Sequence, residues 1–405
     1  MTYSKEVLAK AKEIHHRVLT LDSHIDIQLH NFTREKNYTQ VLNTQVNLPF
    51  MDAGDLNVVW LVVYTRQGEL NEEGYQNAYE DAIAKFDAIH RLCNEFAPDR
   101  LGLATNGREA RELHQQGKRV VMIAIENGYP IGTDISRVKE FYDRGGRYMS
   151  FSHNGHSHLC DSHTGEEEGI WLHNGLSELG KEVVAEMNKW GIMIDVSHPS
   201  KESMQDMVKF SKAPIIASHS SARALCGHSR NLDDEQLQWI KDCGGVVQVV
   251  AFSAYLNTDK HDAYTEVLDR EIEKLGFEVK PRSEIDQMET HEMMQYRLQY
   301  RDLSNEVAEK ARTQAAPVDI ENFVDHIDYI VQKIGLDYVG ISSDFDGGGG
   351  IYGWNDASET LNVTAELVKR GYTESQIDQL WSGNLFRVLD EVEKVAKRIQ
   401  QEETD

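Results

Sequence analysis

The apolar positions of this chain form short continuous blocks that end in polar or small residues, and stretches with helical spacing separate these blocks. Continuous apolar runs rich in β-branched residues are typical of strands that are buried on both faces of a parallel sheet. Eight such runs predict strands at 18–26, 58–65, 119–127, 146–154, 191–198, 214–219, 244–252 and 338–346. The spacing between them predicts helices at 73–96, 107–116, 135–143, 177–190, 201–210, 233–242 and 320–334.

Eight strands that alternate with helices predict an α/β fold of the (β/α)8 TIM-barrel type. A doubly wound open sheet is the alternative, but no Gly-x-Gly-x-x-Gly follows the first strand. We expect residues 1–405 to form one barrel domain. A charged segment at 257–316, after the seventh strand, predicts an insertion with a helix at 283–311. The last part of the pattern predicts two helices and a flexible tail, at 363–370, 376–399 and 400–405.

The composition excludes several classes of partner. The formal net charge is −25 and no Lys/Arg cluster is present, so we expect neither nucleic acid nor an anionic membrane surface as a partner. No apolar run reaches the roughly 18 residues of a membrane span. The polar N-terminus lacks the apolar core of a signal peptide. These features predict a cytoplasmic protein, or a periplasmic or exported one if a leader has been removed.

Side chains that can bind metal follow most of the predicted strands. The carboxyl ends of barrel strands meet on one rim, where the active sites of this fold lie. The first strand ends in His24-Ile25-Asp26, and residues two apart in a strand point to the same face. The other strand ends contribute Glu126, His153, His198, His219 and Asp344. The set predicts a metal-dependent hydrolytic site on this rim.

The number and type of these residues suit two metal ions. A catalytic zinc ion takes about three protein ligands and keeps one position for water. Histidine and carboxylate ligands favour zinc, with manganese, iron or cobalt as alternatives, and the four cysteines have no C-x-x-C spacing. If Glu126 bridges, each ion obtains three ligands from His24, Asp26, Glu126, His198 and His219. Two ions about 3.5–4 Å apart can share a hydroxide and polarise a carbonyl together.

The remaining rim residues suggest further roles. Asp344 is the natural proton shuttle beside such a site, and His153 is suited to steadying a developing oxyanion. Asp346 is an alternative shuttle, although the Gly-rich run 347–350 beside it favours a tight turn. The His-rich loop 155–163 admits a third metal site, but a polar loop that faces the substrate is favoured. We expect four histidines of this region to face solvent: His156, His158, His163 and His173.

Seven motifs, in order from near residue 20 to near residue 350, carry a family resemblance. They are Leu21-Asp22-Ser23-His24-Ile25-Asp26, Ile125-Glu126-Asn127-Gly128, Ser152-His153-Asn154, Asp195-Val196-Ser197-His198, Ala217-Ser218-His219-Ser220-Ser221-Ala222-Arg223, Ser229-Arg230-Asn231-Leu232-Asp233-Asp234 and Ser343-Asp344-Phe345-Asp346-Gly347. With them the sequence resembles the membrane (renal) dipeptidase family of zinc peptidases, over essentially the whole chain. The insertion at 257–316 is longer than this resemblance leads us to expect.

The resemblance implies a barrel with two zinc ions per chain, bridged by Glu126. The other implied ligands are His24 and Asp26 on one ion, and His198 and His219 on the other. It also implies that His153 contacts the substrate and that Asp344 handles the proton of an attacking, metal-bridging hydroxide. Arg230 is the implied partner of the free carboxylate of a dipeptide, with Tyr255 as a second hydrogen-bond donor. A homodimer is also implied.

The resulting hypothesis is a binuclear zinc dipeptidase that cleaves L,L and also L,D dipeptides with a free C-terminal carboxylate. The first alternative is an amidohydrolase that acts on another small amide, a lactone or a cyclic amide. Arg230 separates the two, because its fork of donors matches a carboxylate. The second alternative is a catalytically silent barrel that binds metal, which the complete ligand set and Asp344 disfavour.

Overall fold

A computed structural model describes residues 3–285, 287–288 and 290–404 of the chain. Its strands, all parallel, are β1 (Leu21–Asp26), β2 (Val58–Tyr64), β3 (Leu101–Leu103), β4 (Arg119–Glu126), β5 (Gly146–Ser150), β6 (Met193–Asp195), β7 (Ile215–Ser220), β8 (Val246–Val250) and β9 (Val339–Ser342). Eight of them form a barrel in the order β1-β2-β4-β5-β6-β7-β8-β9. The Asp26 amide donates to the Phe345 carbonyl at 3.0 Å and joins the two ends of this sheet. The predicted (β/α)8 barrel is confirmed, in a nearly closed form.

Strand β3 was not expected from the sequence. It pairs with the first half of β4, from Arg119 to Val121, whereas β5 pairs with the second half, from Ile123 to Ile125. β3 therefore covers the part of β4 that β5 does not reach. Three residues are too short a run to show a strand period in the sequence.

The barrel strands are surrounded by helices whose limits largely match the predicted ones. In the described ranges the α-helices are α1 (Lys5–Arg17), α2 (Leu48–Gly54), α3 (Glu72–Arg91), α4 (Gly107–Gln115), α5 (Ser136–Asp143), α6 (Gly165–Glu168), α7 (Glu178–Trp190), α8 (Lys201–Phe210), α9 (Asp234–Asp242), α10 (Ser253–Leu256), α11 (Thr258–Glu273), α12 (Arg282–Ile285), α13 (Thr290–Arg312), α14 (Ile320–Ile334), α15 (Leu361–Lys369), α16 (Glu374–Asp378) and α17 (Asn384–Glu402). None of the helices described here is long and apolar enough to cross a membrane.

Two predicted helices are divided in the structure. The range 376–399 spans α16 and α17, which a π-helical turn at Gln379–Gly383 joins, and α17 continues to Glu402 into the range predicted as a tail. The helix predicted at 283–311 is also wrong in its first part, because α12 ends at Ile285 and α13 begins at Thr290. Charges spaced at i and i+4 continue through both segments, so the sequence pattern does not show the break. Asp405 lies outside the described residues.

Alternate residues of the barrel strands belong to two different hydrophobic clusters. In β2, Val58, Trp60 and Val62 pack with Tyr148 and with α17. The intervening residues of the same strand, Val59, Leu61 and Val63, belong to a second cluster that includes residues of the flanking helices, such as Phe86 and Phe141. Both faces of the strand are buried, which explains the continuous apolar runs in the sequence.

His326 of α14 connects two segments that follow the barrel strands. Its Nδ1 accepts a hydrogen bond from the Ala222 amide at 3.0 Å, and its Nε2 lies 3.0 Å from the Leu256 carbonyl oxygen. Because an amide can only donate and a carbonyl can only accept, the buried ring is neutral and carries its proton on Nε2. Burial lowers the pKa of His326 to about 4.

This histidine is expected to make the fold less stable in mild acid. As the pH falls below about 6.5, the unfolded chain takes up a proton that the folded chain excludes, so the free energy of unfolding decreases. The contribution of His326 between pH 7 and pH 5 is about 2 kcal/mol. Urea unfolding of the metal-free protein at both pH values should therefore show a smaller decrease in a His326→Gln variant. Equal decreases in the two proteins would contradict this assignment.

Candidate metal centre

The predicted rim residues lie at the carboxyl ends of the barrel strands. His24 and Asp26 belong to β1, Glu126 is the last residue of β4, and His219 lies near the end of β7. Three others follow their strands by two or three residues: His153, His198 and Asp344. The structure brings all seven side chains into one cluster.

Glu126 lies at the centre of this cluster. Its Oε1 is 2.9 Å from His198 Nε2 and 3.4 Å from His219 Nε2. Its other oxygen, Oε2, is 3.5 Å from His24 Nε2. The two oxygens of one buried carboxylate therefore face different imidazoles, which is the arrangement that a bridging ligand requires.

The potential ligand atoms form three overlapping groups, and within each group all atoms lie within 4.8 Å of one another. The groups are His24–Glu126–His219, Glu126–His153–His198 and His24–Asp26–Asp344. Glu126 and His24 each belong to two of them. The overlap joins the three groups into one continuous set of potential metal ligands.

A hydrogen-bond relay engages Nδ1 of His24 and directs Nε2 into the cluster. The Tyr148 hydroxyl donates to the Ser23 carbonyl at 2.8 Å, and it therefore accepts from His24 Nδ1, also at 2.8 Å. Because Nδ1 is engaged by Tyr148, Nε2 is the nitrogen of His24 left to bind a metal ion once it is deprotonated, and this buried atom has no hydrogen-bond partner among the described residues. It lies 3.9 Å from both Asp26 Oδ2 and Asp344 Oδ1. Lone pairs that converge in this way fit a divalent cation.

A second relay acts in the same way on His219. The Ser218 hydroxyl donates to Asp195 Oδ2 at 2.6 Å, so it accepts from His219 Nδ1 at 2.8 Å. The lone pair of His219 is thus also on Nε2, which faces Glu126. Partners of this kind fix the tautomer and orientation of metal-binding histidines. Neither Tyr148 nor the Asp195–Ser218 pair was predicted as a site residue, and a tyrosine inside an apolar strand was the available signal for Tyr148.

The charges in one half of the cluster favour metal binding by neutral imidazoles. Burial opposes the charge of Glu126, but the neighbouring imidazoles, His24 first, outweigh it and hold the pKa of Glu126 well below its usual range. Burial lowers the pKa of both His198 and His219, and the Arg230 guanidinium lowers both further. Deprotonated imidazole is the form that binds metal ions.

The other half of the cluster holds more negative charge than its surroundings can stabilise. Burial opposes a charge on His24, but Glu126, Asp344 and Asp26 raise the pKa of this imidazole to about 10. Burial also raises the pKa of Asp26 to about 7, and that of Asp344 well above its usual value. The protein alone needs protons to neutralise these groups, and a metal ion in their midst supplies the same positive charge.

Arg230 lies buried beside the cluster, in the loop after β7. Its Nη2 donates to the His219 carbonyl at 3.3 Å, and its Nε has no hydrogen-bond partner among the described residues. The guanidinium carbon is 5.4 Å from the centre of the Tyr255 ring, which stacks on Phe252. A buried guanidinium with an unused donor can bind an anion beside the metal cluster.

The histidines of the loop after β5 are not directed into solvent as we expected. His158 and His173 donate to backbone carbonyls, of Gly132 and Ser157, and each bond measures 2.9 Å. Two further histidines contact other polar groups. His156 lies against the Ser162 amide and the Asp161 carboxylate, and His163 against the Asn154 side chain and the Ser229 hydroxyl of the loop after β7. Within the described residues, no group of metal-capable side chains includes these histidines. They hold the loop in place by hydrogen bonds that spacing alone does not reveal.

Asp344 lies in a tight turn that packs against β1. The backbone φ angles of Asp344 and Asp346 are 58° and 62°, in the left-handed region. A Cβ atom on Gly347 would clash with the carboxylates of both Asp26 and Asp344, so a larger residue at this position must displace them. Asp346 lies outside the three ligand groups, which favours its interpretation as a turn residue.

Comparison with known proteins agrees with this geometry. The profile of the family described as membrane dipeptidase (peptidase family M19) matches residues 8–403. The chain belongs to this family. It is therefore a metallo-dipeptidase by family, as the motifs predicted.

Relatives with similarity over most of their length carry dipeptidase names. Dipeptidase aclJ of Aspergillus oryzae is 29% identical over 396 residues, which cover 95% of this chain and 80% of that protein. Dipeptidase tcpJ of Claviceps purpurea is 28% identical over 363 residues, which cover 88% and 72%. Among solved structures, the probable dipeptidase PvdM from Pseudomonas aeruginosa is 32% identical with a TM-score of 0.79, covering 97% of this chain and 100% of that one.

The close approach of Gly347 to two carboxylates of the cluster predicts the effect of a substitution at this position. Gly347→Ala should displace the carboxylates of Asp26 and Asp344, and thereby lower both metal content and dipeptidase activity by about 10-fold or more. Gly383→Ala is the control, because a Cβ there would meet its nearest atom at an ordinary 3.4 Å. Metal analysis and an activity assay of both variants measure the effect. Unchanged metal content in Gly347→Ala would show that the turn does not constrain these carboxylates.

Proposed function

We propose that this chain is a binuclear zinc dipeptidase that cleaves dipeptides with a free C-terminal carboxylate, of both L,L and L,D configuration. The observation that carries the proposal is the position of Glu126, whose two oxygens face separate imidazoles next to a buried arginine. Such a site joins the ligands for two cations to a fixed positive charge. The homodimer expected from the sequence stays a prediction.

We assign Glu126 as a ligand of both zinc ions. The remaining ligands are His24 and Asp26 for one ion, and His198 and His219 for the other. The Nε2 atoms of His24 and His219 support this assignment, because their Nδ1 atoms are engaged by Tyr148 and Ser218 and only Nε2 is left for a metal ion. When bound, two zinc ions would activate water and polarise the scissile carbonyl.

Asp344 is assigned as the group that moves the proton. Its carboxylate lies at the edge of the cluster, with Oδ1 3.9 Å from His24 Nε2. A carboxylate of this kind can accept the proton of the attacking water and then give it to the leaving amine. The ring of His153 lies 4.3 Å from that of His198. From there His153 is assigned to donate a hydrogen bond to the substrate carbonyl oxygen as negative charge develops on it.

Arg230 is assigned to bind the free carboxylate of the dipeptide. The planar guanidinium is suited to a two-point contact with a carboxylate, and its burial strengthens that contact. Tyr255 lies against this guanidinium and is assigned a second hydrogen bond to the same carboxylate. A carboxylate held here would fix the length of the peptide, so a dipeptide rather than a longer chain is the expected substrate.

Zinc stoichiometry tests the metal assignment. The reconstituted chain should hold about two zinc ions and cleave L,L or L,D dipeptides in a chelator-reversible way. Glu126→Gln should lose binding at both sites because it removes the shared ligand, whereas Asp26→Asn should weaken only one. Glu112→Gln, a half-exposed carboxylate paired with Arg108 on α4, is the matched control.

Two outcomes would contradict parts of this assignment. A wild-type chain that holds one zinc ion at saturation would exclude the binuclear site. Two zinc ions without cleavage of any dipeptide would favour the alternative amidohydrolase, and lactones and cyclic amides would then be the substrates to assay.

Substrate carboxylate recognition is tested at Arg230. Arg230→Gln should lower kcat/KM for a dipeptide by about 10- to 100-fold, because a charge-assisted hydrogen bond is lost. The same variant should change kcat/KM for the C-terminal amide of that dipeptide much less. Arg223→Gln is the control, since Arg223 follows the same strand but pairs with Glu166. Equal losses on acid and amide substrates would show that Arg230 does not bind the carboxylate.

A further inference from the structure

The turn that carries Asp344 is held by a residue from the opposite end of the sequence. Gln45, in the connection after β1, accepts a hydrogen bond from the Asp346 amide through its Oε1 at 2.8 Å. Its Nε2 donates to the carbonyls of Gly349 and Asn355, at 2.9 and 2.8 Å. Its backbone carbonyl accepts from the Ala357 amide at 2.9 Å. One glutamine side chain thus bridges both ends of the turn.

Asp346 also contacts Gln45 through its own side chain. Its carboxylate accepts from the Gln45 amide at 3.0 and 3.1 Å and from the Val46 amide at 3.4 Å. The side chain is only 5% exposed, so its charge needs partners within the protein. Gln45 and Asp346 therefore form a reciprocal pair, in which each backbone amide donates to the other side chain.

The one cation that pairs with this carboxylate within the described residues comes from the insertion. Nη1 of Arg301, on α13, lies 3.1 Å from Asp346 Oδ1 and also donates to the Asn43 carbonyl at 3.4 Å. The next residue, Asp302, accepts from Asn43 Nδ2 at 2.9 Å. Helix α13 is thus attached both to the connection after β1 and to the turn after β9.

We propose that Gln45, Asp346 and Arg301 form a clamp that positions Asp344 for proton transfer, which makes the insertion part of the catalytic apparatus. The proposal rests on the proposed role of Asp344. These three are positioning residues, because none belongs to the ligand groups around Glu126.

The backbone of the turn explains why Asp344 needs such a clamp. Asp344 and Asp346 both have left-handed φ angles, which cost free energy in residues other than glycine. The Asp344 carbonyl is fixed by the amides of Gly347 and Gly349, at 3.2 and 2.8 Å. Contacts from outside the turn are needed to hold this strained conformation, and the clamp provides them within two residues of Asp344. A displacement of about 1 Å at a catalytic group lowers rates by up to about 100-fold.

A double-mutant cycle on the zinc-loaded chain tests the clamp. Asp346→Asn should lower kcat about 10- to 100-fold while KM and zinc content stay within about twofold of wild type. Arg301→Gln should also lower kcat, but by a smaller factor. The control is Arg270→Gln, which removes the same charge from α11 and should leave kcat unchanged. In an Asp344→Asn background, Asp346→Asn should cause no further decrease, because it acts only through Asp344.

Several outcomes would overturn the clamp. A decrease from Asp346→Asn that persists in full in the Asp344→Asn background would show a general structural role. Equal kcat values for Arg301→Gln and Arg270→Gln would show that the insertion does not position Asp344. If Asp346→Asn does not fold, Gln45→Glu takes its place in the cycle, since it keeps the acceptor for the Asp346 amide.

Hydrogen exchange separates this proposal from the proposed function. Amides of residues 343–350 should exchange faster in Arg301→Gln than in Arg270→Gln, whether or not the chain cleaves a dipeptide. If wild type cleaves none, the proposed function fails, and faster exchange would still support the clamp. Equal exchange in the two variants would overturn it.

Discussion

The buried carboxylate of Glu126 is the charge on which the whole site depends. A carboxylate without partners in a protein interior is costly, and Glu126 is 3% exposed. It is stabilised because imidazoles from three other strand ends surround it: His24, His198 and His219. Two of those imidazoles are oriented by buried side chains behind them, because Nδ1 of His24 is engaged by Tyr148 and Nδ1 of His219 by Ser218.

This requirement explains why polar residues lie so deep in an otherwise apolar barrel. Tyr148 belongs to the hydrophobic cluster beneath the site, yet its hydroxyl sets the tautomer of His24. Asp195 is fully buried and accepts four hydrogen bonds, from the amide and hydroxyl groups of Ser197 and Ser218. The Ser218 hydroxyl links the Asp195 carboxylate to Nδ1 of His219 by two hydrogen bonds. The polar groups of these two relays thus satisfy one another, and a buried polar network is stable only where its members are satisfied.

The sequence predicted the parts of this arrangement that follow from periodicity. Parallel strands end on one rim, so His24, Asp26 and Glu126 could be placed together from strand limits alone. Long-range side-chain contacts follow no such rule. The Asp195–Ser218 relay joins neighbouring strands, and the contact of Gln45 with Asp346 joins residues about 300 positions apart. The hydrogen bonds of the histidines after β5 were missed for the same reason, because their partners are brought close by the tertiary fold.

The insertion shows how a segment after one strand can act on the loop of the next. β8 and β9 are neighbours in the barrel, so a helical insertion between them can lie beside the turn that follows β9. Helix α13 then lies where Arg301 can reach Asp346 and Asp302 can reach Asn43. Both contacts lie on the rim that carries the metal cluster rather than on the opposite end of the barrel. Because α13 contacts this turn through Arg301, changes in the insertion sequence can alter the position of Asp344 while the barrel and the ligands around Glu126 stay unchanged.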